Sequence, residues 1–246
     1  MLLLVLWEVR VKALNKRTSL EHSRLVDLLR DQRKALENRF PGRGLCEVAS
    51  LVEDTFVRAP EITDRILKPN YLIRVLVFVL ASLMLATVVF GLLELKFSVD
   101  DGWSVLEGIE AGISTVVYSG IAIVFLISFE LRQRRQMTLE ALQELRALAH
   151  VLDMHQMNKD PEYYMFPDEF EPGSFASNLT PAELERYLDY TADLLSLLGK
   201  LAAWYAQKVN DPEILIAINE LEQLTGDMTR KIWQKISIIN SIALKR

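Results

Sequence analysis

The fold of this chain is decided by two uncharged apolar stretches, VLVFVLASLMLATVVFGLL at residues 75–93 and AGISTVVYSGIAIVFLISF at residues 111–129. Each is about 19 residues long, and a helix of that length rises about 30 Å, the thickness of a bilayer's hydrocarbon core. Neither stretch contains proline, so each can satisfy its own backbone hydrogen bonds as a helix, which lipid requires. We therefore predict an all-α fold with a transmembrane hairpin of two helices at residues 71–131.

Charge predicts the orientation of this hairpin. Basic residues flank it on both outer sides, whereas the residues between the two spans are acidic, and Lys and Arg near membrane spans stay in the cytoplasm. We expect an integral protein of a bacterial inner membrane, with both termini cytoplasmic and a short acidic external loop at residues 94–110. The basic residues are Arg58, Arg65, Lys68 and Arg74 before the first span and Arg132, Arg134 and Arg135 after the second. Between the spans stand Glu94, Asp100, Asp101, Glu107 and Glu110 against one cation, Lys96.

Composition limits the class of protein and of partner. The 246 residues are 50% hydrophobic and 25% charged, which is too polar for a protein made mostly of membrane helices. We therefore assign residues 1–70 to an N-terminal cytoplasmic helical segment and residues 132–246 to a cytoplasmic helical bundle. The net charge of −5 argues against a nucleic-acid partner, since phosphate binding needs a basic face. The single cysteine, Cys46, excludes an intramolecular disulfide.

The first twenty residues join an apolar run to a basic one. Residues 1–7, MLLLVLW, are too short to span a membrane and lack the basic region and cleavage site of a signal peptide. Four basic residues follow: Arg10, Lys12, Lys16 and Arg17. Two interpretations stay open, an interfacial anchor on anionic lipid or a segment that packs on the rest of the protein.

Two helices are predicted between this segment and the membrane. Thr18 and Glu21 have the spacing of a capping box, and the helix they start should end near Phe40, before the breaking sequence PGRG at residues 41–44. The second should cover residues 45–57 and end at Ala59-Pro60, because the residue before proline is pushed out of the helical region. A short helical turn should follow from Pro60 to Leu67. The apolar residues expected on the core faces are Leu25, Leu28, Leu29, Leu36 and Phe40, then Val48, Leu51, Val52 and Phe56.

After the membrane, apolar residues recur at alternating spacings of three and four, which predicts an antiparallel, coiled-coil-like bundle of three helices. The second span should continue unbroken into the first of them, since no proline or glycine interrupts residues 121–160. Thr180-Pro-Ala-Glu183 and Asp211-Pro212 are typical helix starts. The N-terminal helices either complete this bundle or lie beside it. The seam residues are Leu142, Leu145, Ala149 and Leu152; Leu184, Leu188, Thr191, Leu195, Leu198, Ala202 and Tyr205; and Ile214, Ile218, Leu221, Thr225, Met228 and Ile232.

His150 and Asp153 are the candidate metal ligands. They lie three residues apart and share a helix face, whereas His155 lies about 140° round the helix from His150, so the two histidines do not easily bind one ion. The spacing matches neither His-Glu-x-x-His nor the Glu-x-x-His of di-iron bundles. The competing interpretation is hydrogen bonding to the loop that follows, and no cofactor is predicted.

Aromatic residues mark a candidate partner-binding loop, and small residues mark helix packing in the membrane. Long loops inside a domain are often functional, and aromatics are enriched at interfaces; here they are Tyr163, Tyr164, Phe166, Phe170 and Phe175. The alternative is that they cap the open end of the bundle. Small residues let membrane helices approach closely, within the hairpin or between copies, and they are Ser82, Ala86, Gly108, Gly112, Ser119 and Gly120.

No catalytic motif is apparent: there is no nucleophile elbow, no phosphate-binding glycine loop and no diagnostic Ser/His or Cys/His spacing. We therefore expect a non-enzymatic, membrane-anchored helical scaffold or accessory subunit that docks a protein partner or forms a homo-oligomer. One alternative is an oligomeric channel or transporter-like pathway for ions or small solutes. A second is a metal-dependent activity in the His150 region.

Overall fold

The structure is a computed structural model, which describes residues 21–94, 102–157, 159–164, 179–209 and 211–243. Those residues form α-helices and one short 3₁₀ helix, with no strand among them, so the all-α prediction is confirmed for this part of the chain. The helices are α1 (His22–Arg39), α2 (Gly44–Leu67), α3 (Tyr71–Glu94), α4 (Gly102–Met157), the 3₁₀ helix Pro161–Tyr164, α5 (Pro181–Ala206) and α6 (Pro212–Ala243).

The chain divides into two compact units that are not consecutive in sequence. One comprises Met1–Asp64 and Thr138–Arg246, and we call it the bundle unit; the other is Arg65–Met137, the apolar unit. The helices α2 and α4 each contribute residues to both units. The N-terminal helices therefore share a compact unit with α5 and α6. Of the two alternatives, they complete the bundle.

Side-chain contacts identify the neighbours of α2 in the bundle unit. Glu53 of α2 pairs with Arg30 and Arg33 of α1, at 3.1 and 2.7 Å. On the other side, Thr55 of α2 donates to Glu144 of α4 at 3.0 Å, and further along Gly44 lies against His155. The residue numbers fall on one helix as they rise on the other, so α2 runs antiparallel to α4.

The remaining contacts show that the helices of the bundle unit form a closed ring. Arg146 of α4 pairs with Glu220 of α6 at 2.9 Å, Asn240 of α6 donates to Glu185 of α5 at 3.4 Å, and Phe40 packs edge-on against Tyr187 of α5. Five helices thus surround one core in the order α1, α2, α4, α6, α5. An odd number of helices leaves one parallel pair of neighbours, α4 and α6.

Every predicted seam residue of α4, α5 and α6 is buried, and the most exposed of them, Met228, is 5% exposed. The two threonines in these seams, Thr191 and Thr225, donate their hydroxyls to the carbonyls of Tyr187 and Leu221 one turn earlier, at 2.9 and 3.0 Å. A buried polar group must be hydrogen-bonded, and these bonds let threonine occupy an apolar position.

Two predicted core residues of the N-terminal helices face outward instead. Leu25, Leu29 and Leu36 are buried as expected, but Leu28 and Leu51 are each 54% exposed. Each of the five helices around the core buries only one narrow apolar face. The apolar periodicity of these short helices was compatible with a wider buried face. The capping-box prediction is only partly testable, because Thr18 lies outside the described residues; Glu21 is the N-cap, without a side-chain capping bond.

The helix α2 also corrects the prediction at Pro60, since it continues through this residue to Leu67. Proline lacks the N–H that would bond the carbonyl four residues earlier, which belongs to Phe56. The ring Nε2 of His22 lies 2.8 Å from that carbonyl oxygen and donates to it. The side chain from α1 thus replaces the bond that Pro60 removes.

In the apolar unit, most described side chains of α3 and of the first half of α4 are exposed or only partly buried. Among the described residues, two helical stretches are long and apolar enough to cross a membrane, with mean hydropathies of 2.6 and 2.0 and only 6% of each most apolar segment buried. Large apolar side chains such as Phe78 and Phe125 are 72% and 67% exposed. The core helix of a water-soluble protein would be mostly buried.

Candidate functional site

The candidate metal ligands lie on the outside of α4, near its end. His150 is exposed, and Asp153 accepts a hydrogen bond from the side-chain amide of Gln156 at 2.6 Å. Among the described residues, no three His, Cys, Asp or Glu side chains gather closely enough to hold a metal ion. A site would therefore rest on two ligands alone, and metal binding at His150 and Asp153 stays a prediction.

The partner-binding aromatics are only partly described. The hydroxyl of Tyr164 donates to the carbonyl of Leu179, and the Tyr164 ring packs against the bundle core. The backbone of Tyr163 lies in the 3₁₀ helix, but its side chain lies outside the described residues, as do Phe166, Phe170 and Phe175. Tyr164 therefore ties the loop to the start of α5, and partner binding by the others remains a prediction.

Basic side chains gather beside this loop, at the end of the bundle where α4 stops. Lys159 is 3% exposed; it donates to the carbonyl of His155, and its Nζ lies 4.2 Å from the centroid of the Tyr187 ring. Lys235 of α6 donates to the carbonyl of Gln156 at 3.0 Å. The two lysines thus bind successive carbonyls in the last turn of α4, where helical donors run out. The Gln156 carbonyl also accepts from the backbone N–H of Lys159 at 3.2 Å.

Electrostatics at this end follow from burial. Burial, together with the like charges of Arg43 and Lys235, lowers the pKa of Lys159 to about 8. Burial also lowers the pKa of Lys235, and burial followed by the charge of Lys159 lowers that of His155. Sequence reasoning missed this cluster, because the lysines lie far apart in the chain and meet only when α4 and α6 run side by side.

Four of the six small residues proposed for packing in the membrane stand on open surfaces of the apolar unit: Ser82, Ala86, Gly112 and Gly120. Ser82 and Ala86 are exposed. A Cβ atom added at Gly112 or Gly120 would have no atom within 4 Å, whereas Ser119 is 8% exposed. Gly108 lies in α4, in a stretch whose side chains are not described. No described part of the chain closes on Gly112 or Gly120, and their role in packing stays a prediction.

A cavity that the sequence analysis does not predict lies between α2 and α4 in the bundle unit. Its volume is about 330 Å³, and we call it the α2–α4 groove; it is lined by Leu51, Asp54, Thr55, Val57, Arg58, Glu144 and Leu148. Leu51 and Val57 are 54% and 50% exposed. At its floor, the carboxylate of Glu144 accepts from Thr55 at 3.0 Å and from Arg58 at 2.7 Å.

Comparison with known proteins adds no assignment: no protein-family model, no curated protein sequence and no solved structure matches this chain.

Proposed function

We propose that this chain is an integral membrane protein whose α3 and α4 form a transmembrane hairpin, with the bundle unit held at the cytoplasmic face of a bacterial inner membrane. One observation carries the proposal: only 6% of the most apolar segment of α3 and of α4 is buried, whereas the seam residues of the bundle unit are buried almost completely. Apolar surface on this scale favours lipid over water.

The work of the protein in this proposal is docking, without catalysis. The bundle unit offers exposed apolar residues to a partner at the α2–α4 groove and, in sequence, the aromatic loop that begins at Tyr163. The open surfaces at Gly112 and Gly120 favour a second copy of the same chain in the membrane, since glycine permits close helix approach.

Membrane insertion is tested by treating vesicles of known orientation with sodium carbonate at high pH and with added protease. We expect the chain to stay in the membrane fraction and the tail beyond Arg135 to be digested only from the cytoplasmic side. Release by carbonate, or digestion of the tail from outside intact cells, would overturn the proposed topology.

Docking is tested by measuring the mass of the complex in mild detergent. We expect a second copy or a foreign subunit to accompany the chain, and we expect a variant carrying Tyr163→Ala, Phe166→Ala, Phe170→Ala and Phe175→Ala to lose a foreign subunit. Tyr164 is left unchanged because it holds Leu179. Leu28→Ala, which removes an exposed apolar residue from α1, is the matched control and should retain the subunit. A lone monomer would contradict the scaffold.

A further inference from the structure

The α2–α4 groove exposes apolar side chains in the middle of an otherwise well-packed bundle. Leu51 and Val57 stand about half exposed on α2, with Leu148 of α4 forming the opposite wall. Among the charged groups of the lining, Asp54 and Glu144 outnumber Arg58. A segment that fits the groove should therefore have apolar residues to contact Leu51, Val57 and Leu148, and basic residues next to them.

The described chain begins beside this groove. His22 bonds the carbonyl of Phe56 at 2.8 Å, and Phe56 lies between Thr55 and Val57, two of the lining residues. The segment that precedes Glu21 is therefore tethered within a few residues of the groove. The thirteen or so residues between Trp7 and Glu21 span up to about 40 Å when extended, enough to cross the width of one helix.

The sequence of that segment has the chemistry the groove requires. Residues 2–7, LLLVLW, are uninterruptedly apolar, and Arg10, Lys12, Lys16 and Arg17 follow within ten residues. The tether also raises the effective concentration of the segment at the groove, to the millimolar range for a short flexible linker. A separate partner would have to compete against that concentration.

We propose that the N-terminal segment of the same chain, residues 2–17, docks in the α2–α4 groove, with its leucines on Leu51, Val57 and Leu148 and its basic residues beside Asp54. This chooses between the two interpretations that the sequence left open for the segment, and it does not depend on the docking function proposed above. The groove is then occupied within the chain, and any external partner of this surface must first displace the segment.

Crosslinking in the full-length protein tests the contact. Cys46→Ser removes the only native thiol, after which Leu4→Cys is combined with Leu51→Cys and, in a matched control, with Leu28→Cys. Leu28 is as exposed as Leu51 and belongs to α1, the helix that directly follows the segment. We expect the Leu51 pair to form a disulfide within one chain under mild oxidation, about tenfold faster than the Leu28 pair. The tether raises the effective concentration at both positions, and only docking holds the segment against Leu51.

Equal rates for the two pairs, disulfides mainly between chains, or labelling of Leu4→Cys by a lipid-soluble reagent in place of crosslinking would each overturn the proposal. The second and third outcomes would assign the segment to another copy or to the membrane surface.

Proteolysis gives a second readout that needs no cysteine. Trypsin cuts after Arg10, Lys12, Lys16 and Arg17, and Leu51→Asp should speed these cuts about tenfold by releasing the segment, because cleavage tracks the population of the open state. Leu28→Asp should not. Leu51 is already exposed, so this change spares the bundle core, which helicity measurements verify. Unchanged cleavage in a folded Leu51→Asp variant would overturn the proposal.

Discussion

At the residue scale, the clearest dependence is that of Pro60 on His22. The carbonyl of Phe56 would have no helical donor, because proline at position 60 supplies none, and His22 fills the vacancy from a different helix. The bond also holds α1 to α2 at the end where α1 begins. One side chain thus allows α2 to continue where local sequence predicts its end.

We expect His22→Ala to lower the free energy of unfolding by about 1–3 kcal/mol, the range for leaving a buried acceptor without its donor. In a Pro60→Ala background the new backbone N–H bonds the Phe56 carbonyl, so the same His22→Ala change should cost about 1 kcal/mol less. Thermal unfolding of the four proteins in mild detergent measures this coupling.

The cost in the second background does not vanish, since His22 also packs on the ring of Trp204 at 4.9 Å. Strict additivity of the two changes would show that the histidine does not compensate for the proline.

Lys159 makes stability depend on pH in a definite direction. Its pKa is about 8 in the folded protein, against 10.5 for an ordinary lysine, so between these values the unfolded chain holds a proton that the folded one has released. Stability therefore rises with pH across that window and is level below it. We expect a gain of about 1–2 kcal/mol between about pH 7.5 and 9.5, at 1.36 kcal/mol per pKa unit with some screening.

Lys159→Met should abolish most of this rise, and Lys200→Met, at an exposed lysine of α5, should leave it intact. Lys235→Met should reduce the rise in part, since the pKa of that residue is lowered as well. The window stops at about pH 9.5 because burial raises the pKa of Tyr205 to about 12. Above about pH 10 the unfolded chain therefore releases a proton that the folded chain keeps, which lowers stability and opposes the effect of Lys159. Denaturant unfolding at each pH measures the effect, and a flat wild-type profile would contradict the assignment of Lys159.

At the element scale, the long helix α4 meets two different surroundings along its length. Val124 in the apolar unit and Met154 in the bundle unit are 64% and 65% exposed, so their exposure within the chain is the same. If lipid surrounds the first and water the second, a charge will be tolerated only at Met154.

We expect Val124→Arg to reduce the amount of inserted protein sharply, since arginine at the centre of a span costs about 2.5–3.5 kcal/mol on insertion scales. Met154→Arg should insert and fold like the wild type. Quantitative blotting of carbonate-washed membranes measures both. Equal yields from the two variants would argue that α4 meets the same medium at both positions.

The helices also show which features of the structure could be predicted from the sequence. The seams of α5 and α6 are long and strictly periodic, and all of their predicted residues are buried. The capping box of Thr180 and Glu183 is present with both of its bonds. The predictions that Leu28 and Leu51 are buried and that a helix ends at Pro60 were wrong. Which apolar face of a helix is buried, and whether a helix continues through proline, depends on contacts with other helices. The lysine cluster and the α2–α4 groove depend on such long-range packing and left no local pattern.

At the scale of the whole molecule, the bundle unit contains its own core without the apolar unit. One hydrophobic cluster contains the core residues of α1, α2, α4, α5 and α6. Its residues in α2 and α4 all belong to the bundle unit, Met1–Asp64 and Thr138–Arg246. The antiparallel packing of α2 on α4 brings the cut ends, at Asp64 and Thr138, to the same end of the unit.

We therefore expect a chain in which a flexible linker replaces residues 65–137 to be water-soluble, helical and cooperatively folded, because it retains the whole cluster and loses the uncovered apolar surface. Circular dichroism, denaturant unfolding and sedimentation test this. A control that replaces residues 21–64 instead should lose the cluster contributed by α1 and α2 and melt at lower temperature. Insolubility of the first chain, or folding of the second at wild-type stability, would contradict this division.

The interruption of the bundle by residues 65–137 has a consequence for biosynthesis. At translation rates of about 5–20 residues per second, roughly 4–15 s separate the emergence of α2 from that of the α4 residues it packs against. During that interval the ribosome has delivered one half of the hydrophobic core, and in the proposed topology residues 65–137 enter the membrane before the other half is made. The yield of folded protein should therefore depend on chaperones that bind the exposed apolar residues of α1 and α2 until the rest of the bundle is made. When these chaperones are limiting, we expect the protein to be degraded before the bundle forms.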